Sequence, residues 1–147
     1  MRRPPKDPQA RLLPPALIGW SVVQGLVAFA TTGGVYLWAW QAGLPLEALR
    51  SIAFMALVAA LVALILVNRA FGASPREALA RPNPVLLAVL GTVAALLALV
   101  LAVPPAAVLF RLDGFAPWHA GLALANGVAV LLLLEAAKRL LRGRLGR

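Results

Sequence analysis

The chain has 147 residues, of which 62% are hydrophobic and only 13% charged, with a formal net charge of +9. A soluble domain usually carries about 25% charged and about 45–50% apolar residues, so this composition cannot supply a water-facing surface around a core. The absence of cysteine removes disulfides, thiolate metal sites and cysteine nucleophiles.

Residues 1–13 form a basic, proline-rich arm with Arg3-Pro4-Pro5 and Asp7-Pro8. Proline lacks an amide donor and restrains the residue before it, so the arm is expected to be extended. With its prolines, its basic prefix and the long apolar run that follows, this N-terminus does not read as a cleavable signal peptide. The first span, about 14–41, is predicted to be helical from Pro15 to Gln41. It carries Trp20 near one end and Tyr36, Trp38 and Trp40 near the other, where aromatic side chains anchor at membrane interfaces.

A short loop, Gly43-Leu44-Pro45-Leu46-Glu47, leads to a second span, about 49–69, that closes on Asn68-Arg69. In the next loop, Ser74-Pro75-Arg76-Glu77 reads as the start of a short interfacial helix, with proline in its first turn. Pro82-Asn83-Pro84 launches a third span, about 84–104, which Pro104-Pro105 ends or breaks. Asp113-Gly114 signals a turn before the fourth span, about 118–139. Residues 140–147 form a basic tail. A hydrocarbon core about 30 Å thick takes about 20 helical residues, and four such runs fit the stretch 14–139. The expected fold is all-α: an integral membrane four-helix bundle of two transmembrane hairpins.

Twelve basic residues lie in the arm, the second loop and the tail, whereas Arg50 and Arg111 alone lie in the other two loops. Cytoplasmic segments carry the Lys/Arg excess, which predicts that both termini are cytoplasmic. The expected location is a cell membrane, in particular a bacterial inner membrane. The same charge favours anionic lipid head groups as partners. Because the basic residues flank the spans and form no stripe on a soluble face, nucleic acid is not an expected partner.

Ionisable residues inside a membrane are functional candidates by default, and here they are scarce. Glu135 sits at the cytoplasmic end of the fourth span beside Lys138 and Arg139, as a helix-end carboxylate paired on its own helix. His119 lies next to Trp118 at the outer interface. The neutral polar candidates within the membrane are Asn126, Thr92, Gln24 and Asn68, with Thr31 and Thr32. Such groups usually hydrogen-bond between helices, and ion coordination is the sharper alternative. Asn126 is the most deeply embedded, and Thr92 is its best companion for such a site. Small residues at four-residue spacing predict close helix packing: Ala30 and Gly34 in the first span, Ala56 and Ala60 with Ala59 and Ala63 on a neighbouring stripe in the second, and Gly121, Ala125 and Ala129 with Ala123 and Gly127 beside them in the fourth. With no phosphate-cradling glycine loop, paired carboxylates or nucleophile triad, no catalytic, cofactor-binding or metal-binding residue is assigned and no cofactor is expected.

The order of motifs resembles the last four membrane helices of P-type cation-transporting ATPases. The arm Met1-Arg2-Arg3-Pro4-Pro5-Lys6-Asp7-Pro8 is similar to the loop before their seventh helix, and Gln24-Gly25 to a pair within it. Leu49-Arg50-Ser51-Ile52-Ala53-Phe54 resembles the start of the eighth helix, and Asn68-Arg69 its end. Pro82-Asn83-Pro84, Val103-Pro104-Pro105 and Leu109-Phe110 resemble the ninth helix and its outer loop. Pro117-Trp118 and Glu135-Ala136-Ala137-Lys138-Arg139 resemble the tenth and its tail. The resemblance implies a phosphorylated aspartate in a DKTGT motif and a nucleotide domain, and this chain has neither. Where the eighth helix often carries a glutamine or glutamate, Leu61 stands. The resemblance therefore implies a non-catalytic membrane scaffold, supporting cation transport by the remaining helices of a pump, or a truncated or split pump product. Two other classes compete with it. One is an independent small transporter or channel acting as a homo-oligomer, and the other is a membrane assembly or regulatory subunit.

Overall fold

The computed structural model describes residues 15–69, 84–112 and 114–145. The basic arm, the Ser74–Glu77 helix start and Asp113 lie outside the described residues. Among the described residues, five helices follow in order: α1 (Pro15–Gln41), α2 (Leu46–Arg69), α3 (Pro84–Ala102), α4 (Pro104–Leu109) and α5 (Pro117–Leu145). All but the short α4 are long and apolar enough to cross a membrane.

The chain between α1 and α2 turns where glycine permits it. Gly43 has φ of 73°, in the left-handed region that lacks a steric penalty only for glycine. The Gly43 amide donates to the Trp40 carbonyl at 3.0 Å and the Leu44 amide to the Ala39 carbonyl at 3.3 Å. This is the Schellman arrangement, and Leu44 packs beside Ala39 to complete it. Because the Pro45 carbonyl already accepts from the Leu49 amide at 3.0 Å, α2 begins at Leu46, ahead of its expected start.

The break between α3 and α4 follows from Pro104 and Pro105. Val103 takes an extended conformation, φ −105° and ψ 102°, as a residue before proline prefers. At the far end of α4, Arg111 adopts φ of 57°. Its amide donates to the Val108 carbonyl at 3.0 Å and the Leu112 amide to the Ala107 carbonyl at 2.7 Å, repeating the same termination without glycine.

Helices α1, α2 and α5 pack together. One end of their core holds Trp20, Ala28, Ala60, Ala63, Val67, Val130 and Leu134, and the other Ala39, Leu49 and Ile52. Lipid is as apolar as leucine, so such helices are held by close packing and interhelix hydrogen bonds, with little hydrophobic drive. The alanines of α2 fit this, since methyl groups at 56, 60 and 63 form one face and are all buried. Trp20 is a core residue and not an interfacial anchor, whereas Tyr36, Trp38 and Trp40 are exposed.

The four long helices do not contribute equally. The hairpin of α1 and α2 is closed, but α3 buries no residue and stands off from α2 and α5 across an apolar cleft. Its leucines and valines point in every direction, as in a helix whose surroundings are apolar on every side.

The loop after α4 is clamped to the start of α2 at Gly114. A Cβ there would lie 2.6 Å from the Glu47 carbonyl carbon and 2.7 Å from the Ala48 nitrogen. Gly114→Ala is therefore expected to lower stability by about 1–3 kcal/mol, by overpacking against backbone that cannot rotate away. Equilibrium unfolding in detergent micelles measures this, and an unchanged midpoint would refute the clamp.

Candidate functional site: polar contacts inside the bundle

The polar side chains of the spans lie at three levels. Near the α2 C-terminus, Gln24 Nε2 donates to Asn68 Oδ1 at 2.6 Å, joining α1 to α2. Gln24 is buried, and Asn68 is exposed apart from this bond. At the same end Lys138 Nζ donates to the Val67 carbonyl at 2.9 Å, tying α5 to the last turn of α2. The last four carbonyls of a helix have no partner within it, so a cation there satisfies one of them. The half-buried Glu135 pairs with the exposed Arg139 one turn on at 3.9 Å, an i, i+4 helix pair of a kind contributing about 0.3–0.5 kcal/mol.

The middle level belongs to Asn126. Its Nδ2 donates to the Ala56 carbonyl at 2.9 Å and to Thr32 Oγ1 at 3.3 Å, so one amide joins α5 to both α2 and α1. The Ala56 carbonyl has a second lone pair for its own helix. Ala59 and Ala60, carrying only methyl groups in the next turn, leave it uncovered. Asn126 Oδ1 is buried with no hydrogen-bond partner, as is Ser51 Oγ nearer the other end. An acceptor left so costs about 1–3 kcal/mol.

At the α5 N-terminus, His119 is 2% exposed, so it is enclosed and not spread at the interface. Its Nδ1 accepts the Ala116 amide at 2.9 Å, which satisfies one of the orphan donors of the first turn. Trp118 and Phe115 meet its ring edge-on, with centroids 4.2 and 5.7 Å away. Among the described residues no group of three or more His, Cys, Asp or Glu is gathered that could hold a metal ion.

Thr92 is not brought to Asn126. It is exposed on the outward side of α3, and Thr32 and the Ala56 carbonyl take the place expected for it. The predicted small-residue stripe is also displaced. Ala30, Gly34, Gly121 and Ala125 are exposed and Ala129 is half-buried. The close contact in α5 is at Gly127, where a Cβ would lie 3.2 Å from the Ala59 carbonyl oxygen, with Ala123 one turn earlier. Positions two apart on a helix differ by about 200°, so the stripe through 121, 125 and 129 faces away from the one through 123 and 127. Of the small residues the sequence offered in this span, the contact falls to Ala123 and Gly127, beside the expected stripe. The Ala56 carbonyl had none, because backbone acceptors look alike in sequence. Leu61 is half-exposed on the lipid side of α2, outside this network.

The Gln24–Asn68 bond can be weighed by a double-mutant cycle with Gln24→Leu and Asn68→Leu. The expected coupling is about 0.6–1.7 kcal/mol, the range for hydrogen bonds between membrane helices. Strictly additive effects would show that the contact contributes nothing.

Four apolar membrane-length helices, three of them joined through neutral polar contacts, define a multi-pass α-helical membrane domain. The family model described as "Cation transporting ATPase, C-terminus" matches residues 1–140, and the chain belongs to that family. No characterised protein and no solved structure gave a significant match.

Proposed function

We propose that this domain is a non-catalytic scaffold that supports the ion-carrying helices of a cation pump. The observation that carries the reading is the direction of its polar groups. Gln24, Asn68, Asn126 and Lys138 each bind another helix of the domain. A transport path would line a shared cavity with such groups. Family membership supports the association with a pump, whose phosphorylation and nucleotide parts belong to other segments. The Lys/Arg distribution supports cytoplasmic termini, and the same residues favour anionic lipids. The outward small residues Ala30, Gly34, Gly121 and Ala125 are suited to meet partner helices or a second copy of the chain.

The test is reconstitution. A pump truncated after its sixth membrane helix is expressed with and without this chain, and ATP-dependent cation uptake into vesicles is measured. Uptake restored only in its presence is expected. Acid-stable phosphorylation of this chain alone, on addition of ATP, would sink the scaffold reading.

The unpartnered Asn126 Oδ1 favours one rival, an independent oligomeric transporter in which that oxygen meets the ion. An assembly or regulatory subunit differs from both in co-purifying with another membrane protein without restoring uptake.

A further inference from the structure

His119 is the only histidine in the chain, and it caps its own helix. Because α5 begins at Pro117, Ala116 is the N-cap and His119 the third helical residue. The His119 amide donates to the Ala116 carbonyl at 2.9 Å, and His119 Nδ1 accepts the Ala116 amide at 2.9 Å in return. This is the returning half of a capping box, a place usually held by glutamate or glutamine. Histidine can fill it in one protonation state alone. A backbone amide only donates, so Nδ1 must present a lone pair and the ring proton must sit on Nε2.

A second proton would turn this contact from attraction to repulsion. An imidazolium carries N–H groups on both nitrogens, so Nδ1 would point a donor at a donor. It would also add positive charge to the first turn of α5, where the helix dipole is already positive. Among the described residues, the titratable and charged side chains at this end are Tyr36 of α1, Glu47 and Arg50 of α2 and Arg111 after α4, and all are exposed. His119 is 2% exposed, so the charge would be enclosed away from them. Phe115 and Trp118 lie against the ring, with centroids 5.7 and 4.2 Å away, and it cannot turn out to water without displacing them.

The capped segment is also the one that grips α2. Gly114, two residues before Ala116, fits against the main chain of Glu47 and Ala48. We propose that His119 makes this junction an acid-sensitive latch: protonation releases the Ala116 amide and loosens the Gly114 segment from the start of α2. Stability supplied by the cap is present while the imidazole is neutral and is lost as the pH falls through the imidazole range. The latch depends on the geometry around His119 and not on association with a pump, so failure to restore cation uptake would leave it standing.

The experiment is nitrogen-15 NMR of the full chain in detergent micelles, where a single histidine makes the ring signals unambiguous. At about pH 8 the ring is expected as the Nε2-protonated tautomer. Protection of the Ala116 amide against hydrogen exchange, corrected for the intrinsic rate, should fall about fivefold between about pH 8 and about pH 5, the equivalent of one net hydrogen bond. His119→Gln keeps an acceptor that does not titrate, and its Ala116 protection should be the same at both pH values. Asp113→Asn should keep the wild-type loss, which assigns the response to the imidazole. A proton on Nδ1 at the higher pH would overturn the proposal, and so would wild-type protection that does not change with pH. Loss of the response in Asp113→Asn would move it to that carboxylate and overturn the proposal equally. The tautomer and the exchange are read on the wild-type chain, so a glutamine variant that fails to fold does not shelter the proposal.

Discussion

Gly127→Leu is expected to separate α2 from α5 and to destabilise the bundle. A Cβ at this position would already lie 3.2 Å from the Ala59 carbonyl oxygen and 3.3 Å from the Ala59 methyl carbon. A leucine adds three further carbons, and the Ala59 backbone cannot rotate aside. Overpacking of this kind costs about 1–3 kcal/mol and sometimes more, and here the upper part of that range is expected because the obstacle is main chain. The contacts that depend on this crossing, Asn126 to Ala56 and Lys138 to Val67, should fail together. The control is Gly121→Leu, at an exposed site with nothing within 4 Å of a Cβ. It should be neutral, or stabilising by up to about 1 kcal/mol through helix propensity. Unfolding of both variants in micelles decides between the two stripes. Equal losses would mean that the face through 121 and 125 also packs within the domain.

Asn126 should separate scaffold from transporter. Asn126→Leu removes the bonds to the Ala56 carbonyl and Thr32, a loss of about 0.6–2 kcal/mol by the measure of interhelix hydrogen bonds in membranes. The same change also removes the unpartnered Oδ1, which offsets part of the loss. The net expectation is a decrease of about 1 kcal/mol, within the range for such deletions. Asn126→Asp should be worse, because a carboxylate deep in a span costs about 2.5–3.5 kcal/mol and would face the Ala56 carbonyl oxygen. Lowering the pH until that carboxyl is neutral restores a donor toward Ala56, so the deficit should shrink in acid. In reconstituted vesicles, uptake by the assembled pump should survive Asn126→Leu in proportion to folded protein. Complete loss of transport with the bundle intact would favour the independent transporter.

How much was legible beforehand differs from residue to residue. The spans were legible because a bilayer imposes a length and an apolar composition on any helix that crosses it. The turn at Gly43 and the break at Pro104 were marked by residue types that restrict the backbone. Glu135, with a basic partner four residues on, was legible for the same local reason. The polar network was legible only in part. Gln24, Asn68 and Asn126 stood out as polar groups in apolar runs, but their partners did not. The Ala56 carbonyl and the rejection of Thr92 depend on how α1, α2 and α5 are rotated about their axes. In a span that is apolar on every side, composition does not say which side faces protein.

The sequence by itself determined that this is a helical membrane domain, that the chain turns at Gly43 and breaks at Pro104, and to which family it belongs. Those properties follow from hydropathy, proline and glycine chemistry, and motif order along one chain. Only the tertiary structure decided which small residues form the close crossing, which oxygen accepts from Asn126, and that α3 stands apart over an apolar cleft. The reason is physical. Within lipid the hydrophobic effect no longer distinguishes one helix face from another, so the choice falls to van der Waals fit and a few hydrogen bonds, and these exist only once the helices have met.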